Sequence, residues 1–463
     1  MDSNIEVFTG IAKQIAAYLQ ARMEERQQAG EPIQISDVEA HLRESLRQIG
    51  AQALGEFLGS ALGTPVAEVK CECGGTLRYQ RRRTAVVLSV FGRVEYRRAY
   101  YAGCACGEGQ APLDEQYGIE PGQVSAGLAK LLSVAGVELP FEHSAKWLKE
   151  FLLFDVSENT VRQETQQMGR LQIDREIELS QQSQDVAYLQ RRLRETGEVP
   201  KRLYGLMDAG KVRIEPRDLA AKQAKTEAWR DMKLGCWCEV EAVPSAQRSV
   251  RQREKYNREQ ASYRAKDIRY YCDISDAQTF GELMWARGVE AKADLATELV
   301  FVCDGAAWIW KLVERYYPQA VQIVDWYHAA DRLKRVAQLA FVTNADRQAW
   351  LDNTLDDLWQ GRVGEVIRAC RAFKRCDEAQ QAATYFSNNE ARMKYDRFRA
   401  AGYMLGSGTI ESGCKQIITQ RLKCSGAQWS VVGAVQTAKA RAAWLSGEWS
   451  VLCARRDALP LVA

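Results

Sequence analysis

Apolar residues recur at helical spacing through the first part of the chain. Ile5, Phe8, Ile11, Ile15 and Leu19 mark one run; after Ser36, Val38, Leu42, Leu46 and Ile49 mark a second, continued by Leu54, Phe57 and Leu58. The spacing predicts a helical N-terminal region over 1–65, a packing or dimerisation unit. Over 66–120 the pattern changes. Two Cys-x-Cys pairs flank strand-like text, Thr84 to Val90 and Arg93 to Tyr101, with Phe91-Gly92 as the hairpin turn. Helical periodicity returns over 121–170. Leu128, Leu131 and Leu132 form one face, and Ala145, Leu148 and Phe151 another. Ser157-Glu158-Asn159-Thr160-Val161-Arg162 opens a third helix with a capping signal. Helix, helix, turn and a polar last helix is how a helix-turn-helix reads, although an ordinary helical bundle carries the same pattern. The polar stretch that follows, 171–199, predicts an exposed helix linking two domains.

At Pro200 the text switches to strands alternating with helices. Arg202 to Asp208, Lys233 to Ala242, Ile268 to Ile274, Leu299 to Asp304 and Val321 to Asp325 read as five strands. That order predicts a mixed sheet with helices on its faces, begun over 200–337. Residues 338–400 are almost wholly helical and read as an all-α insertion; the α/β domain resumes over 401–463. The fold class is therefore multidomain, α and α/β.

The 463 residues leave room for about three domains. Thirteen cysteines, an odd number over so long a chain, do not suit a disulfide framework. No secretory signal and no transmembrane stretch is visible, so a reducing, cytoplasmic compartment and no membrane partner are expected. Net charge is only +3, and the distribution says more. Residues 71–101 hold Arg78, Arg81, Arg82, Arg83, Arg93, Arg97 and Arg98 against Glu72 and Glu95, and a second basic stripe runs over 247–269. Such stripes are the footprint of a phosphate-binding face, or simply of a solvated surface.

Three acids stand out by position. Asp208 closes Tyr204-Gly205-Leu206-Met207-Asp208, Asp304 closes Val300-Phe301-Val302-Cys303-Asp304, and Glu411 opens a helix in Gly406-Ser407-Gly408-Thr409-Ile410-Glu411. The carboxyl ends of strands form the ligand crevice of open α/β sheets. Carboxylates gathered there suit Mg²⁺ (or Mn²⁺), and a pair of ions can activate one oxygen and stabilise another in phosphoryl displacement. An Asp at a strand end is also a common turn or helix cap. Asp325 and His328 lie three apart at the start of a helix. Cys71, Cys73, Cys104 and Cys106 fit two knuckles around a structural Zn²⁺, or stand as unliganded core thiols. Cys236 and Cys238 sit on one face of a strand and read as core; His41 and His143 read as structural.

These motifs together resemble bacterial insertion-sequence transposases of the ISKra type, distant relatives of Mutator-like DDE enzymes. The likeness runs from about residue 70 to the C-terminus. It is carried by Arg98-Ala99-Tyr100-Tyr101 leading into Cys104 and Cys106, by Gly109 and Pro112-Leu113-Asp114, and by Met207-Asp208-Ala209 and Cys303-Asp304-Gly305. It continues through Asp325-Trp326-Tyr327-His328, the Gly406 to Ser412 segment, and Arg421-Leu422-Lys423 with Gly426 and Trp429. The Cys-x-Cys knuckles are tighter than the CxxC pairs expected there.

The resemblance implies an RNase H-like catalytic core behind a zinc ribbon and a helix-turn-helix, with Asp208, Asp304 and Glu411 holding two Mg²⁺ ions. It makes Asp325 and His328 the Asp-x-x-His signature near the site. Expected DNA contacts are Asn159, Arg162 and Gln163, with Arg81, Arg82 and Arg83 on phosphates, and Lys415 and Arg421 flanking the groove. The implied partner is double-stranded DNA, transposon ends and target alike, bound by a homodimer or larger assembly in the bacterial nucleoid. Two other readings are a non-catalytic DNA-binding regulator and a structure-selective RNase H-like nuclease.

Overall fold

The structure, a computed structural model, describes residues 2–61, 63–195, 197–215, 228–243 and 262–458. The fold is mixed α/β, and the contacts divide it into two compact units, one of residues 1–165 with 453–463, the other of residues 166–452.

The first unit begins with the helices Asp2–Gln28 and Ile35–Ser60. Three antiparallel strands follow in the order β1-β2-β3: β1 (Glu68–Lys70), β2 (Thr76–Ser89) and β3 (Gly92–Ala102). Ala85, Val87, Val94 and Tyr96 alternate onto one face, as period-two strands require, and pack on Leu58 and Leu113. Ser89 pairs with Gly92, so the two-residue turn is Val90-Phe91, one position earlier than the sequence suggests. Gly92 opens β3 at φ +92, where a Cβ would meet the Arg47 guanidinium at 2.8 Å.

The helices Ala126–Glu138, Phe141–Leu152 and Glu158–Gln184 close around Leu128, Leu132, Leu148, Val156 and Val161. Ser125 and Ser157 cap the first and third by accepting from Leu128 N and Thr160 N. Leu153, in the left-handed region, ends the second. Leu131 and Phe151, expected on packed faces, are instead exposed.

Of the segment 171–199, the first half departs from the exposed linker that its polarity suggested, while the helix Val186–Glu195 has no buried residue among those described. The helix Glu158–Gln184 runs on without a break, and Leu171, Gln172, Glu176 and Ser183 are buried. Its polar residues are consumed by partners: Glu176 pairs with buried Lys439, and Arg175 with Glu290 and Glu448. A polar helix can be a packed one when each charge is matched inside.

The second unit is built on a five-stranded sheet in the order β6-β5-β4-β7-β8. Here β4 is Arg202–Arg213, β5 Trp229–Val243, β6 Ser262–Asp273, β7 Glu298–Cys303 and β8 Val321–Val324. β4, β5 and β6 are antiparallel; β7 and β8 run parallel to β4. β4 carries a run of five buried residues before Asp208, and all but the first two residues of β7 are buried, as strands covered on both faces must be. Between β8 and Glu411 the chain is helical: Trp326–Ala340, Asn344–Trp359, Val363–Arg371, Asp377–Asn388 and Tyr395–Ala400. Then come Gly408–Gly413, a π-helical turn Cys414–Thr419, and the helix Val431–Leu445, which packs on β6.

Candidate active site and metal centres

Strand register sets the acidic site. Gly205 of β4 lies opposite Phe301 of β7, and Cys303 of β7 opposite Val324 of β8. Counting on from those pairs, Asp208, Asp304 and Asp325 stand at one level of three neighbouring strands. Asp208 does not end its strand, as the sequence implied; β4 continues to Arg213 against β5.

Each aspartate is held differently. Asp208 Oδ1 accepts from Ala209 N at 2.7 Å, and Oδ2 accepts from the Cys414 thiol at 3.5 Å. Burial first, and the neighbouring charge of Asp304, raise its pKa. Burial and Asp208 itself push the Cys414 thiol far up, so it stays a donor. Asp304 Oδ1 accepts from Ala306 N at 2.9 Å, and its carbonyl accepts from Tyr385 Oη at 2.8 Å. Gly305, at φ +92, lets the Tyr385 ring approach; a Cβ there would lie 2.8 Å from it.

Asp325 is fully buried and caps the helix Trp326–Ala340, its Oδ1 accepting from His328 N at 2.9 Å. Its Oδ2 accepts from Ser407 N, which ties the end of β8 to the segment carrying Glu411. Burial works against its charge, but the hydrogen bonds from His328 and Ser407 outweigh it and hold the pKa below the usual carboxylate value. His328 Nδ1 lies 3.4 Å from Asp325 and 3.8 Å from Glu411. The Asp325 carboxylate above all, with Glu411 and Asp304 adding, pushes the imidazole up to about 9 against the cost of burial. Glu411 sits in the first turn of Gly408–Gly413, where its Oε1 accepts from Ser407 Oγ at 3.2 Å. Gly413 permits that helix to lie close to the sheet; a Cβ would meet Tyr270 at 2.5 Å and Leu234 at 3.1 Å.

The expected three acids therefore come together in two parts. Asp325, His328 and Glu411 each bring a ligand atom within 4.8 Å of the others, and Asp208 and Asp304 fall outside that group. Glu411 faces the histidine rather than the two aspartates. Among the described residues no lysine or arginine pairs with Asp208 or Asp304, so their half-buried oxygens fit a hard divalent cation.

Lys415 is exposed beside Glu411. Arg421 departs from its expected place at the groove. It is 2% exposed, lies over the Trp429 ring at 5.4 Å, and its pKa falls to about 10 through burial. A guanidinium so enclosed does not present itself to a phosphate.

The cysteines form the second group. Cys71 and Cys106 Sγ are 3.5 Å apart, Cys73 and Cys104 Sγ 3.4 Å, and the four thiols lie within 4.8 Å of one another. A Zn–S bond of ~2.3 Å implies tetrahedral sulfur separations of about 3.8 Å, close to these. Gly74 N donates to Cys71 O and Gly107 N to Cys104 O, closing two knuckle turns at positive φ. A Cβ on Gly75 would lie 2.5 Å from Cys104 Sγ. This group could hold zinc; Cys236 and Cys238 are buried in β5 as core.

Of the expected nucleic-acid contacts, Asn159, Arg162 and Gln163 are exposed at the start of the third helix. Arg162 donates to Asn159 Oδ1. Of the three expected phosphate ligands, Arg81 is exposed and has no partner among the described residues. Arg82 is bound to the carbonyls of Gly59 and Gly63, both at 3.0 Å, and Arg83 lies 3.4 Å over the Tyr100 ring. Arg82 thus closes off the end of a helix instead of meeting a phosphate. Most of the second stripe, 247–261, lies outside the described residues; of its remainder, Arg264 pairs with Glu241 and Arg269 donates to Glu290 O.

Sequence reasoning missed Tyr385, Ser407 and Cys414. Cys414 follows Glu411 by three positions and so shares its helix face, a readable signal; Tyr385 left none. No protein-family model and no curated protein matches the chain. No helix among the described residues is long and apolar enough to cross a membrane.

Proposed function

We propose that the chain is a DNA transposase of the DDE type, catalysing metal-dependent phosphoryl transfer at transposon ends and into target DNA. One observation carries the reading: Asp208 and Asp304 stand level on neighbouring parallel strands, with no lysine or arginine paired to them among the described residues, while Glu411 returns to the same end of the sheet through Asp325 and Ser407. The five-stranded mixed sheet with a long helical segment before Glu411 supports an RNase H-like core. The clustered thiols support a zinc ribbon, and the three helices around Leu128 and Leu148 support a helix-turn-helix.

Asp208, Asp304 and Glu411 would hold two Mg²⁺ or Mn²⁺ ions, which supply the positive charge that favours a nucleophilic oxygen and eases departure of another. The chain's own side chains do the positioning. Cys414 and the Ala209 amide orient Asp208; Ala306 and Tyr385 fix Asp304. His328, charged at neutral pH, sits between Asp325 and Glu411 and limits their mutual repulsion. Asn159, Arg162 and Gln163 would read base edges, and Arg81 would hold a phosphate.

Asp208→Asn tests the reading. With Mg²⁺ or Mn²⁺, the wild type is expected to cleave DNA carrying the element's ends, and the variant to bind that DNA with unchanged affinity and fail to cut. Cleavage by the variant would remove the site. Wild-type binding without cleavage would leave a DNA-binding protein, and preference for RNA–DNA hybrids or junctions a nuclease.

A further inference from the structure

The helix Trp326–Ala340 carries a second feature beyond its capping aspartate. His328, Arg332 and Arg335 stand at i, i+4 and i+7, hence on one face. They span about 10 Å of helix axis, starting at the acidic cluster. Lys334 is neutralised by Asp331 at 2.6 Å, whereas Arg332 and Arg335 have no acidic partner among the described residues.

Arg332 is held in place by an aromatic ring. Its guanidinium lies 4.0 Å over Tyr385, whose hydroxyl donates to Asp304 O at 2.8 Å and whose ring rests on Gly305. One side chain therefore connects this cation to the backbone of a candidate metal ligand. A guanidinium carries five N–H donors, so Arg332 can meet the Tyr385 hydroxyl and still offer a fork to a planar, bidentate acceptor, and phosphate is the fitting one. The need is electrostatic as well. Asp208, Asp304, Asp325 and Glu411 repel a polyanion, and flanking cations on a rigid helix offset that repulsion where the strand must pass.

We propose that Arg332, extended by Arg335, binds the phosphodiester backbone of the DNA strand next to the phosphate undergoing transfer. The proposal rests on the phosphoryl-transfer reading for its location, but the binding it describes is measurable without turnover.

The full chain is titrated onto a fluorescein-labelled DNA duplex of mixed sequence at several KCl concentrations, with Ca²⁺ present, and Mn²⁺-dependent cleavage of DNA carrying the element's ends is measured alongside. Arg332→Ala is expected to flatten the plot of log affinity against log salt by about 0.9, the loss of one phosphate contact, and Arg332→Ala with Arg335→Ala by about twice that. In cleavage, Arg332→Ala is expected to raise KM about tenfold with kcat within about threefold, the pattern of lost uniform binding. Arg332→Lys is expected to keep the salt slope and recover only part of the KM, because it keeps the charge and loses the fork. An unchanged slope and KM in Arg332→Ala overturns the proposal. So does equivalence of Arg332→Lys and Arg332→Met in every readout, which would reduce the residue to packing on Tyr385; these two variants also carry the test if Arg332→Ala does not fold. Absence of cleavage by the wild type would sink the enzymatic reading, while a flattened slope would still support the phosphate contact. Cleavage with an unaltered slope would do the reverse.

Discussion

The two groups of ligand-type residues differ in how completely they are assembled. The four thiols from β2's approach and β3's exit already lie within 4.8 Å of one another, whereas Asp208 and Asp304 stand apart from the cluster of Asp325, His328 and Glu411. The difference is one of charge. The four sulfurs pack at contact distance, and two knuckle turns suffice to gather them. Carboxylates repel, so the chain holds them with separate donors: an amide and a thiol for Asp208, an amide for Asp304, and the amides of His328 and Ser407 for Asp325. A soft, closed set of four sulfurs suits a structural ion; a hard, open set with oxygens in reserve suits a catalytic one.

Removing the first ion is expected to have the largest effect. Structural zinc contributes on the order of 10 kcal/mol to small zinc modules at neutral pH. Chelation, or Cys106→Ser, should abolish the one zinc per chain read by metal analysis and lower the first thermal transition by more than any single carboxylate change. A protein without zinc and with unaltered melting would put the cysteines back among core thiols.

Next comes Asp208. Its carboxylate is half-buried beside Asp304 and its pKa is raised. The asparagine variant should lose cleavage by at least about a thousandfold, the scale on which a preorganised electrostatic group acts. In metal-depleted protein the same variant should be more stable by about 1 kcal/mol, since a repelled charge is gone. Mn²⁺ should raise the melting temperature of the wild type and leave that of the variant in place. Loss of activity with loss of stability would point to a structural aspartate instead.

A smaller effect belongs to His328. Its folded pKa is raised from 6.5 to about 9. A group raised in this way stabilises the fold below its unfolded pKa, and that contribution is lost as pH climbs through the folded one. Metal-depleted protein should therefore lose stability between about pH 6.5 and 9. The side chain is 43% exposed, so solvent screening limits the loss to the order of 1 kcal/mol. Denaturant titration across that range should show the slope, and His328→Gln should remove it. Tyr385→Phe should be smaller still: one hydrogen bond to Asp304 O, about 1 kcal/mol or less, with a modest fall in kcat.

Much of this was legible beforehand for definite reasons. The strands around Asp208, Asp304 and Asp325 are apolar runs with an acid near their ends, and the Cys-x-Cys pairs carry their glycines with them. Helix 158–184 was misread because its polar residues find partners far away in the chain: Glu176 with Lys439, Arg175 with Glu448. Arg82 and Arg421 looked like phosphate ligands because charge is visible in a sequence and its internal partner is not. The role of Ser407 was hidden for a similar reason; its backbone amide, not its side chain, holds Asp325.

The central claim is that Asp208 and Asp304 share divalent metal with Glu411. Anomalous scattering from crystals of the full chain grown with Mn²⁺ measures this directly. Manganese is expected between Asp208 and Asp304, with Glu411 turned from His328 to complete its shell. Manganese on Asp325, His328 and Glu411 with Asp208 uncoordinated, or no manganese at this end of the sheet, would contradict it.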